Sequence, residues 1–106
     1  MPGSLGGNRA PVFTHIDNPL YYEIVIVNEI KSKIREFVLK HVRDDNLEDD
    51  ENMFELGYVN SLFAMQLVMF VEKEFTLQIS REDLDFSNFR SIEAITALVL
   101  RGKGLT

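Results

Sequence analysis

The chain has 106 residues, of which 45% are hydrophobic, enough for one domain around a single small core. A formal net charge of −6 argues against duplex nucleic acid or an anionic membrane as partner and favours surfaces rich in Lys and Arg. There is no cysteine, hence no disulfide framework and no thiolate nucleophile; with no membrane-length apolar run and no signal-like start, a cytoplasmic protein is expected.

All three prolines (Pro2, Pro11, Pro19) and the glycines Gly3, Gly6 and Gly7 fall in the first nineteen residues. Residues 1–20 are therefore expected to form a flexible leader, 21–102 the domain and 103–106 a short tail. From Tyr22 to His41, the apolar residues Val27, Ile30, Ile34, Phe37 and Val38 recur at helical spacing and predict a first amphipathic helix. Asp44 to Glu55 follows with seven carboxylates and no Lys or Arg. Their mutual repulsion disfavours a regular helix and predicts a long solvated loop pinned by Leu47, Phe54 and Leu56. Gly57 breaks the chain before the next element.

Asn60 or Ser61 is placed to cap a helix running to about Phe75, with Leu67, Phe70, Val71 and Phe75 as its core stripe. Ser80-Arg81-Glu82-Asp83 reads as a capping box opening a short helix, with Asp83 in the place of the usual Glu or Gln. Ser91 caps a last helix carrying Ile92, Ile95, Leu98 and Val99, and Gly102 ends it. The expected fold is all-α: a small four-helix bundle of three longer helices and one short one, with a long loop between the first and second helices.

At the junction Gly57-Tyr58-Val59-Asn60-Ser61-Leu62-Phe63, the acidic loop meets an apolar helix and one serine is left exposed beside a helix N-terminus. Alone, that serine is an ordinary cap. With its surroundings it resembles the acyl carrier protein family from about Glu23 to Arg101. The resemblance rests on Phe54-Glu55-Leu56-Gly57, Ser61-Leu62, Leu67-Val68, Glu72-Lys73-Glu74-Phe75, Ile79, Asp83 and Ser91-Ile92-Glu93. It implies that Ser61 accepts a 4′-phosphopantetheine arm from coenzyme A in the Mg²⁺ site of a phosphopantetheinyl transferase. The chain is then a substrate of other enzymes rather than an enzyme.

Most members of that family carry Asp before the serine, where this chain has Asn60; Asn caps equally well but removes a charge. Fatty-acid-type carriers are acidic where this chain has Phe63 and Gln66, so the side bearing Leu62, Phe63, Met65 and Met69 reads as apolar. Phe63 and Met65 are expected to dock partners and most of the others to pack inward; Leu62, Phe63 and Met65 form the partner-contacting set. The run from Gly57 to Leu67, with Asn-Ser-Leu-Phe at its centre, also resembles discrete carriers of malonyl-type polyketide extender units (methoxymalonyl, hydroxymalonyl or aminomalonyl). The implied partners are acyl-loading and acyl-modifying enzymes and a polyketide synthase acyltransferase, with the carrier monomeric and free-standing, or else a domain of a megasynthase. Peptidyl or aminoacyl cargo, or an unmodified helical interaction module, are the alternatives.

Two other functions fit the residues less well. Asp44, Asn46, Glu48 and Glu55 match positions 1, 3, 5 and 12 of a calcium loop, but Asp49 stands where glycine is needed and Gly57 interrupts the exiting helix. No metal site is expected. A hydrolase would need a nucleophile elbow around Ser61 and a general base. The only histidines are His15 in the leader and His41 at the end of the first helix.

Overall fold

Pro19 opens the first helix, where its fixed φ suits the first turn and its missing N–H costs nothing. A computed structural model describes residues 19–105, which form three α-helices: α1 (Pro19–His41), α2 (Ser61–Glu74) and α3 (Ile92–Gly102). Among the described residues there is no strand, so the described part of the chain is all-helical. Residues 1–18, most of the expected leader, lie outside the described residues; Pro19 and Leu20, also assigned to it, already belong to α1.

Ile30, Ile34 and Val38 recur every fourth residue on α1 and are buried, as are Ile92, Ile95, Leu98 and Val99 on α3. These two stripes bring α1 and α3 into backbone-close packing. α1 meets α2 differently, through rings. Phe37 stacks on Phe70 at 4.2 Å and on Phe63 at 6.1 Å, and His41 leans on Phe63 at 4.6 Å. Near the other end of α2, Lys33 pairs with Glu74 at 3.2 Å, so the two helices run antiparallel and α2 begins where α1 finishes.

The acidic segment between α1 and α2 contains no helix, as self-repulsion predicts, but it is more structured than a solvated loop. Asp49 binds Arg35 at 2.9 Å and Lys31 at 3.7 Å, and its carbonyl accepts the N–H of Glu93 at 2.8 Å in the first turn of α3. Leu47 is buried as expected, whereas Phe54 is half-buried and Leu56 exposed. The second buried anchor is Met53. Asn52 positions it by capping a helical turn, its side-chain oxygen accepting the N–H groups of Phe54 and Glu55.

In place of a short fourth helix, two 3-10 turns, Arg81–Asp83 and Phe86–Phe89, link α2 to α3. The Ser80 hydroxyl donates to the Asp83 carboxylate and makes no capping bond to a backbone N–H, so the expected capping box does not form. Asp85 has extended backbone and caps the second turn by accepting from Ser87 N–H, which divides the segment in two.

α3 ends at Gly102 as expected; Lys103 caps it, and Gly104, at φ +71°, turns the chain away. The N–H groups of Gly104 and Leu105 bond back to Arg101 and Leu100, closing the helix with a left-handed residue. α2 ends with the same device, Leu77 N–H bonding to Glu72 at 3.1 Å, but its left-handed residue is Thr76, at φ +51°. A β-branched side chain is strained there. Thr76→Gly is therefore expected to stabilise the protein by about 1 kcal/mol. A urea midpoint that fails to rise would show that the strain is absorbed locally.

Candidate functional site

Asn60 holds an extended backbone (φ −116°, ψ −175°), and its side-chain oxygen accepts the N–H of Phe63 at 2.9 Å. Of the two candidate caps, Asn60 is therefore the N-cap and Ser61 the first helical residue. The Ser61 side chain is exposed, and among the described residues its hydroxyl forms no hydrogen bond. The N–H groups of Ser61 and Leu62, in the first turn, have no acceptor within the helix, and this end of α2 carries the positive end of its dipole. A nucleophilic oxygen thus stands beside donors suited to a phosphate.

What holds this junction in place lies mainly before it. Met53 is fully buried, and its carbonyl accepts from both Tyr58 (2.9 Å) and Val59 (3.2 Å). Its own N–H donates to Arg90 at 2.6 Å, tying the approach to Ser61 to the turn before α3. Gly57, at φ +80°, makes the reversal that lets both N–H groups point back. Val59 plugs into the core, and the Tyr58 hydroxyl donates to Asp44 at 3.0 Å. That bond to a carboxylate raises the phenol pKa above its ordinary value.

Along α2, Ser61 shares a face with Ala64, Met65 and Val68, three, four and seven residues on. These three form one wall of an apolar groove of about 210 Å³; Leu84, Phe86 and Phe89 from the 3-10 segment form the other. Phe86 is exposed and contacts Phe54 at 5.3 Å, which joins the groove's outer wall to the loop before Ser61.

The residues expected to meet partners are not all on one side. Leu62 and Met65 are 69% and 62% exposed, and Met69, counted with the core, is 65% exposed. Phe63, expected on the exposed side with them, is buried at 7% between Phe37 and His41. Helical spacing already contained this result: Phe63 lies four residues before Leu67 and eight before Val71, on the core stripe. Two carboxylates of the acidic segment bond to the chain itself. Asp44 accepts from Asn46 N–H and from Tyr58, and Glu51 from Glu48 N–H. Among the described residues no cluster of three or more His, Cys, Asp or Glu is arranged to hold a metal, and no helix is long and apolar enough to cross a membrane.

A family model described as "Phosphopantetheine attachment site" matches residues 29–99, from within α1 to within α3. The chain belongs to this phosphopantetheine-attachment family. No curated protein matches it. Membership makes the chain a carrier with a covalently attached 4′-phosphopantetheine, modified by a phosphopantetheinyl transferase and handled by acyl-processing enzymes, and not itself a catalyst. When attached, the arm supplies a thiol on which an acyl group is held as a thioester.

The cap assignment carries its own test. Asn60→Ala is expected to cost about 0.5–2 kcal/mol, read from thermal or urea unfolding, because it leaves the Phe63 N–H without its acceptor. Asn60→Asp is expected to keep the fold and to leave arm transfer unchanged or faster. Slower transfer to the Asp variant would contradict this reading of the junction.

Proposed function

We propose that Ser61 is the residue that bears the arm, and that the chain carries malonyl-type extender units for a polyketide synthase. The observation that carries the first half is the exposed, unbonded Ser61 hydroxyl at the start of α2, inside the span matched by the family. In the transfer, Ser61 Oγ bonds to the coenzyme A phosphorus next to the pantetheine. The P–O bond to the nucleotide bisphosphate breaks, and the Oγ proton passes to a base of the transferase. The carrier contributes an accessible oxygen and the N–H groups beside it. Asn60 orients the junction, and Leu62 and Met65 are the partner contacts; Phe63, being buried, is withdrawn from that set.

The cargo assignment is supported by the likeness of Asn60-Ser61-Leu62-Phe63 to extender-unit carriers and by the lack of acidic residues from Ser61 to Val71. The work is assigned to the cytoplasm and to a monomer. Two readouts test the proposal. After incubation with coenzyme A, Mg²⁺ and a broad-specificity transferase, peptide mapping should place one adduct on the peptide containing Ser61. An adduct on another serine would refute the site. The loaded protein should then accept a malonyl-type unit from an acyl-loading enzyme. Acceptance of an aminoacyl group instead would replace the polyketide assignment with a peptidyl one.

A further inference from the structure

The thioethers of Met65 and Met69 stand four residues apart on the solvent side of α2, at 62% and 65% exposure. Leu62, at 69%, completes a stripe that occupies about 60° of the helix circumference and about 10 Å of its length. The stripe starts one residue after Ser61 and carries no charge before Glu72. An enzyme that brings its active site to Ser61 Oγ necessarily covers the first turns of this helix, and there it meets Leu62 and Met65. The side facing the stripe must accordingly be apolar, since nothing in the stripe can pair with a charge.

We propose that Met65 and Met69 are oxidation sites through which hydroperoxides control docking of the phosphopantetheinyl transferase. The inference rests on Ser61 being the attachment residue. In the chemical step, a thioether sulfur donates a lone pair to one peroxide oxygen; the S–O bond forms and the O–O bond breaks. The sulfur loses two electrons, the proton on the transferred oxygen passes to the leaving oxygen, and the peroxide is reduced to water or an alcohol. Each methionine becomes a sulfoxide, with a strong acceptor where a soft apolar group had been. Pressed against an apolar partner, that oxygen has no donor and loses its water, which weakens the complex.

Two features make the response selective. The chain has no cysteine, so in the form that still awaits its arm no thiol competes for the oxidant. Met53, the anchor of the junction, is 0% exposed, so oxidation reaches the docking stripe while the core stays intact. Met65 also lines the groove beside Ser61, so its sulfoxide places a polar group in that apolar wall as well.

The experiment uses the full chain without its arm. Treatment with hydrogen peroxide followed by desalting should add one oxygen each at Met65 and Met69 and none at Met53, by peptide mapping. With coenzyme A, Mg²⁺ and a transferase at limiting carrier concentration, the treated protein should load at least about tenfold more slowly than the untreated. Methionine sulfoxide reductases should restore the rate. The double variant Met65→Leu/Met69→Leu, whatever its starting rate, should lose no further rate on peroxide treatment. Sulfoxide at both positions with unchanged loading would overturn the inference and leave the attachment site standing. An untreated parent that takes no arm at Ser61 would remove the attachment reading, and the inference with it.

Discussion

Ser61→Ala is expected to take up no phosphopantetheine while keeping the helix content and the unfolding midpoint of the parent. Ser61 carries the only side-chain hydroxyl of α2, so its loss removes the proposed nucleophile completely and the expected effect on modification is all or none. The stability effect is small because of a division of labour within the junction. Asn60, not Ser61, satisfies the Phe63 N–H, and among the described residues the Ser61 hydroxyl bonds to nothing. Alanine is also an excellent helix former in the first turn. A change within about 0.5 kcal/mol is therefore expected, as for surface substitutions generally. Intact mass after transferase treatment and a far-UV melt read the two halves separately. An adduct surviving on the variant would place the arm elsewhere, and a large drop in midpoint would mean that the hydroxyl contributes to the cap.

Met53→Ala should show the opposite pattern, with a large loss of stability and a graded loss of modification. The side chain is fully buried, and replacing it by alanine leaves a cavity that costs about 2–5 kcal/mol. Domains of this size have about 5–15 kcal/mol in total, so the variant sits near the edge of folding at elevated temperature. Beyond the cavity, the Met53 backbone holds Tyr58, Val59 and Arg90, and a backbone no longer anchored by its side chain would loosen all three bonds. Amide exchange at Tyr58 and Val59 should accelerate more than at Ile34 or Leu67, and arm transfer should slow as the junction frays. Met53→Leu, which nearly conserves volume, should cost less than about 1.5 kcal/mol. If Met53→Ala loses under about 1 kcal/mol in urea, the residue is not the anchor proposed.

The three long helices and their inward stripes were legible because Ile30, Ile34 and Val38, or Ile92, Ile95 and Val99, repeat at a spacing only a helix can bury on one side. Ser91 was legible as a cap for the same local reason, and its hydroxyl accepts the Ala94 N–H at 3.0 Å. Less legible were positions decided by long-range partners. Met53 sits among carboxylates and looks like loop; what places it is packing in the core and a backbone bond to the Arg90 carbonyl, far along the chain. The short fourth helix failed because Asp83 drew the Ser80 hydroxyl to its carboxylate and Asp85 began a new cap. Phe63 follows the core periodicity of Leu67 and Val71, although its sequence neighbour Leu62 and nearby Met65 are exposed. Thr76 could not have been found from sequence, since nothing about threonine announces a left-handed backbone.

The hydrogen bond from Tyr58 to Asp44 also gives the junction an optical signature. The chain has no tryptophan and three tyrosines, two of which, Tyr21 and Tyr22, lie near the start of α1. A phenol bonded to a carboxylate emits weakly, because the excited state passes its proton to the acceptor. With Tyr21 and Tyr22 replaced by phenylalanine, the emission of Tyr58 alone reports whether the loop still clasps the residues leading into Ser61. The protein with and without its arm can then be compared, unlabelled, by the brightness of one side chain.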